Sequence, residues 1–114
     1  MRKKLLTLSM AIASVAYANA VIGAPSPQAY LPKAMAGDYQ AQRNLAYTYG
    51  ADLRDFSKAC SWYLLILRSD SPQLNLGDLS NANTYCGMLT KQDENARLNA
   101  EREANQLYRQ IYKK

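Results

Sequence analysis

The chain contains no histidine among its 114 residues. Imidazole acid–base catalysis, histidine triads and histidine-ligated zinc are therefore excluded. It has two cysteines, Cys60 and Cys86, and no CxxC pair, so a cysteine metal cage or a dithiol redox motif is also excluded. A glycine-rich phosphate loop and a calcium-loop pattern are missing. Carboxylates occur close together at Asp52 with Asp55 and at Asp93 with Glu94. Both groups stand where helices start, and capping and dipole compensation account for them there. No catalytic residue, cofactor site or metal ligand is assigned, and the expectation is a protein that is not an enzyme.

Long blocks of like charge are absent too. The formal net charge is +5, but Arg2, Lys3 and Lys4 supply three of those positive charges. These residues open a secretory signal pattern. A basic start is followed by a short apolar run over residues 5–18 and by the small-x-small site Ala18-Asn19-Ala20. Cleavage is expected after Ala20, with Ala18 as the rival site. The apolar run is short for a membrane span, which needs about 20 residues. Once residues 1–20 are removed, 11 Lys and Arg face 9 Asp and Glu, a net charge of +2. That balance gives no footing for nucleic-acid binding. The expected setting is bacterial, periplasmic or secreted, with no stable membrane anchor after cleavage.

A mature chain of this size supports one small domain, marginal without a further constraint. In an oxidising compartment Cys60 and Cys86 are expected to form one disulfide. Closing a loop of this size contributes roughly 3 kcal/mol in the chain-entropy view.

Residues 21–32 hold Gly23, Pro25, Pro27 and Pro32 and read as an extended leader. Residues 33–114 form the expected helical domain. Helix one starts at Lys33 or Asp38 and runs to Tyr49, capped by Asp38 and stopped by Gly50. Helix two covers about 55–68 and is apolar over most of its girth, which predicts a helix sandwiched between neighbours. Helix three lies within 76–89, capped by Asp78 or Ser80. Helix four covers about 91–112, with Ala96, Ala100, Ala104, Leu107 and Ile111 as its packing seam. Gly37-Asp38 is echoed by Gly77-Asp78, and each dipeptide opens a helix that a second helix follows. Two tandem helix pairs are the pattern of a stacked helical solenoid.

The first unit carries Gly37, Asp38, Ala41, Leu45, Tyr49, Gly50, Asp55, Lys58, Ala59, Trp62 and Tyr63 in order. This pattern resembles the Sel1-like repeat, a relative of the tetratricopeptide repeat. The resemblance covers about residues 34–67. Its turn after Tyr49 is about three residues shorter than the usual form. The second unit keeps Gly77, Asp78, Asp93 and Ala96 but lacks the tryptophan. The resemblance implies an all-α, short α-α hairpin solenoid of two helix pairs, units about 34–68 and 75–112, stapled by the disulfide. Some relatives are labelled as hydrolases or penicillin-binding, but the serine–lysine pattern for that chemistry is absent here.

In this reading Ala41, Leu45, Tyr49, Ala59, Trp62 and Tyr63 form the repeat core. Tyr39, Tyr47 and Tyr108 fall off the stripes and are the candidate partner surface, since tyrosine gives rigid amphipathic contact area. The expected function is an exported scaffold or adaptor that binds a protein or peptide in the cell envelope or outside the cell. The alternatives are a secreted effector or inhibitor of an enzyme or toxin, and a weak cell-wall or small-ligand module.

Overall fold

The computed structural model describes residues 26–113. The expected signal peptide, residues 1–20, and leader residues 21–25 lie outside the described residues. The described chain is all-α. A 3-10 turn at Pro27–Ala29 leads into α1 (Leu31–Met35) and α2 (Tyr39–Tyr47). A π-helical turn, Thr48–Asp52, then leads to α3 (Phe56–Arg68), α4 (Leu76–Gln92) and α5 (Glu94–Tyr112).

Local chemistry sets each start. Gly37 takes φ +95, a conformation that disfavours a side chain, and places Asp38 as the cap of α2. The Asp38 carboxylate accepts from the Ala41 N–H at 2.9 Å. Asp55 caps α3 through the Lys58 N–H, and Asp93 caps α5 through the Asn95 N–H. The cap of α4 is Asn75, not Asp78 or Ser80. Asp78 instead completes a capping box from the third helical position. The Gly-Asp echo is thus unequal in structure: Asp38 caps from outside its helix, whereas Asp78 lies inside its own. After α3, Asp70 adopts φ 57 and turns the chain away.

Of the two expected starts of helix one, Asp38 is the observed one; Lys33 belongs to the separate α1, which ends before Gly37. The leader is not extended over its last residues, because the 3-10 turn and the start of α1 occupy them from Pro27 on. Helix α4 runs three residues past the expected limit. Gly50 does not end a helix; it lies buried within the π turn.

Helix α3 is the hub and packs on α2, α4 and α5. Its Ala59, Cys60, Ser61, Trp62, Tyr63, Leu65 and Ile66 are buried, as a sandwiched helix requires. One core cluster joins Leu45 and Ala46 of α2 with Trp62, Tyr63, Leu65 and Ile66 of α3, Ala82 of α4 and Ile111 of α5. A second joins Cys60, Cys86, Leu89 and Ala100. The expected disulfide is present, with Cys60 on α3 bonded to Cys86 on α4. The alanine seam of α5 is also observed: Ala100, Ala104 and Ile111 are buried.

The two helix pairs lie in the same direction. Along α2 and α4, Tyr39 and Arg43 meet Asp78, and farther on Gly50 meets Tyr85. Along α3 and α5, Lys58 meets Glu103, and farther on Arg68 meets Tyr108. The first helices of the pairs are therefore parallel to each other, and so are the second helices. The end of α5 returns to the start of α2. Ile111 and Tyr112 reach the Gly37 turn, and the buried Gln42 amide donates to the Ala34 carbonyl and the Tyr112 hydroxyl.

Candidate functional site: the groove between α2 and α4

Two parallel helices leave a furrow along their seam. Here Gln40, Arg43, Asn44 and Tyr47 of α2 face Asn81 of α4, with Tyr63 of α3 at the floor. They enclose a hollow of about 210 Å³.

One end of the furrow is fixed by Asp78. Its side chain is fully buried, and Arg43 Nε donates to it at 2.8 Å. The Tyr39 hydroxyl and the Asn75 N–H donate to the other oxygen. A buried carboxylate requires this full set of donors. The guanidinium of Arg43 also lies over the Tyr39 ring, 5.6 Å from its centre. Arg43 is the only basic residue between Lys33 and Arg54, and Asp78 the only charge between Asp70 and Lys91. The pair ties α2 to α4 across the gap between the two hairpins.

Burial raises the Tyr39 phenol to about 12, helped by its bond to Asp78 and opposed by Arg43. The Tyr63 phenol is also raised to about 12, first by burial and then by Tyr85 and Asp78. Burial raises Tyr85 as well. All three phenols are thus held neutral, able to bond and unsuited to act as bases near neutral pH.

The other end is built by aromatic packing. Tyr85 stacks between Phe56 and Tyr63, at 6.0 and 5.8 Å between ring centres. The Arg54 guanidinium lies over the Phe56 ring, 5.3 Å from its centre. The π turn passes over Tyr85, with Gly50 against its ring.

The sequence-derived residues fall in three places. Ala41, Leu45, Ala59, Trp62 and Tyr63 are buried in the core, and Tyr49 is half-buried against it. Tyr47 is 54% exposed and lines the furrow. Tyr39 is half-buried, with its hydroxyl committed to Asp78. Tyr108 packs against the same core as Tyr39 but stands elsewhere on it, with Tyr112 at 5.1 Å and Arg68 and Lys113 over its ring. The three candidate surface tyrosines do not form one patch. The amides Gln40, Asn44 and Asn81 and the Arg43–Asp78 pair were not singled out from the sequence. The isolation of Arg43 and of Asp78 among uncharged neighbours was the available signal.

Among the described residues, no three carboxylates or cysteines group as a metal site. Among the same residues, no helix is long and apolar enough to cross a membrane. No family model, curated protein or solved structure matches this chain.

Proposed function

We propose that the protein is an exported, non-enzymatic adaptor whose α2–α4 furrow holds an extended segment of a partner protein. In this reading the two hairpins are short Sel1-like units, the second degenerate, and the disulfide fixes one on the other.

The observation that carries the reading is the lining of the furrow. A Gln or Asn amide offers two donors and one acceptor oxygen. A peptide group displays one donor and one acceptor, so a row of amides suits an extended backbone regardless of its side chains. Gln40 Nε2 donates to Asn44 Oδ1 at 3.0 Å, which aligns the first two amides before a ligand arrives. From Gln40 to Tyr47 the helix rises about 10 Å, the reach of roughly three extended residues. Tyr47 supplies an exposed aromatic contact at the far end. The walls cannot splay freely, because Arg43 and Asp78 join them. Such preorganisation reduces the ordering cost of binding.

Selection from a displayed random-peptide library against the oxidised protein tests this reading. Enrichment of uncharged or mixed peptides is expected, with affinity reduced about tenfold or more in an Asn44→Ala, Tyr47→Ala double variant. A selection that enriches nothing above background, or peptides indifferent to both residues, would refute it.

A further inference from the structure

Four exposed cations gather at one end of the molecule: Lys33 of α1, Arg68 of α3, Arg109 of α5 and Lys113 just after it. Among the described residues, ion pairs engage Arg43, Lys58 and Arg97, and none of these four. The Arg68 guanidinium and the Lys113 ammonium both lie over the Tyr108 ring, 5.3 and 5.8 Å from its centre. The Gln42 amide donates to Ala34 of α1 and to Tyr112 of α5, which sets Lys33 and the exposed Leu31 beside the end of α5.

Each of these cations stands near a helix C-terminus, where the dipole favours it. Their convergence on one end, next to the exposed Leu31 and Tyr112, comes from how the helices pack. Two exposed carboxylates stand nearby. Asp38 is committed to the Ala41 N–H as the cap of α2, and Asp70 follows Arg68 at the end of α3. Glu101, which borders the same α3–α5 hollow as Arg68, pairs with Arg97. The end as a whole is positive.

Charge asks for an anionic partner, and the path of the chain selects which one. Basic side chains beside tyrosine and leucine are the composition that settles at the headgroup level of a bilayer. The apolar run of the expected signal peptide joins the domain at this same end. Residues 21–26 alone separate Ala20 from the 3-10 turn that leads into α1. Fully extended, they reach at most about 25 Å. Until the leader is cleaved, this end is therefore held beside the bilayer, and an acidic protein has no such tether.

We propose that this end of the domain docks reversibly on an anionic membrane surface. Lys33, Arg68, Arg109 and Lys113 face the lipid phosphates, and Leu31 and Tyr112 sit among the headgroups. The contact is peripheral, persists after the leader is removed, and uses none of the amides of the α2–α4 furrow. It is weak enough to be released by salt, unlike a spanning anchor.

Co-sedimentation of the oxidised protein lacking residues 1–20 with lipid vesicles tests the docking. Vesicles of phosphatidylglycerol and phosphatidylcholine in equal parts should bind it at low salt and release it at high salt. Vesicles of phosphatidylcholine alone should bind it about tenfold less or weaker. An Arg109→Glu, Lys113→Glu double variant should bind the anionic vesicles about tenfold or more weakly, with unchanged helical circular dichroism. A Lys91→Glu, Arg102→Glu double variant changes the net charge equally, away from this end, and should keep most of the binding. No binding to anionic vesicles would overturn the proposal, as would equal binding to both kinds of vesicle. An equal loss in the two double variants would reduce the effect to net charge and also overturn it. Capture of a polyglutamate peptide by a protein that ignores the vesicles would assign the patch to an acidic protein and equally overturn membrane docking.

Discussion

The ring of Tyr85 lies against Gly50 so closely that a Cβ on that glycine would stand 2.6 Å from the ring. The glycine is there for space and not for backbone freedom, since its φ is not in the left-handed region. The contact joins the π turn of the first hairpin to the first helix of the second. Gly50→Ala should therefore cost about 1–3 kcal/mol by overpacking, measured as a lowered urea midpoint. Tyr85→Leu in the same chain should recover part of that loss, so the two changes should be non-additive. Gly87→Ala, into open space on a helix, should instead be neutral or slightly stabilising.

The Arg43–Asp78 pair is the second tie between the hairpins. Asp78 is fully buried, so removal of Arg43 leaves a buried carboxylate short of one donor. Arg43→Met should destabilise by about 2–4 kcal/mol, and pairing it with Asp78→Asn should cost less than the sum of the two. Lys58→Met, which breaks a partly exposed pair with Glu103, should change stability by less than about 1 kcal/mol.

The disulfide is the third tie. Cys60 is fully buried and Cys86 nearly so. The bond closes a loop with a sequence separation of 26. The Cys60→Ala, Cys86→Ala double variant should lose about 2–4 kcal/mol in denaturant unfolding. Helix α4 should suffer first, because its Asn81, Asn83 and Thr84 are weak helix formers and lean on packing. Hydrogen exchange should then quicken in α4 before it does in α3.

Stability should fall at high pH for a specific reason. An unfolded tyrosine releases its proton near pH 10, whereas Tyr39 and Tyr63 hold theirs to about 12 in the folded chain. Between those values the unfolded state binds fewer protons than the folded state. The stabilisation is therefore complete below about pH 10 and is lost as the pH rises towards 12. Thermal melts across this range should show a falling Tm. Tyr39→Phe and Tyr63→Phe should each flatten the slope.

Much of the fold was legible because it follows from local rules. Asp38 after Gly37 gave the start of α2, the apolar girth of residues 55–68 gave the central helix, and the spaced alanines gave the seam of α5. The bond between Cys60 and Cys86 followed from their being the only two cysteines. Other features were hidden because they depend on contacts distant in sequence. Gly50 reads as a stop signal, and only Tyr85 explains why no side chain is allowed there. Asp78 reads as a cap by analogy with Asp38, but the real cap is Asn75, and the carboxylate is turned into the gap towards Arg43. The proline-rich segment reads as extended, yet its residues 27–32 coil into a 3-10 turn and the start of α1. The amide-lined furrow left no sequence pattern at all, since Gln40, Asn44 and Asn81 meet only once α2 and α4 lie in parallel.

Nuclear magnetic resonance mapping of a selected peptide onto the isotopically labelled, oxidised protein addresses the adaptor reading at the level of single residues. Saturating peptide should shift the side-chain amides of Gln40, Asn44 and Asn81 and the ring of Tyr47. The signals of the outward α4 residues Leu76 and Leu79 should stay in place. Shifts confined to the Tyr108–Tyr112 end of α5, with the three amides unmoved, would contradict the assignment of the α2–α4 furrow as the binding surface.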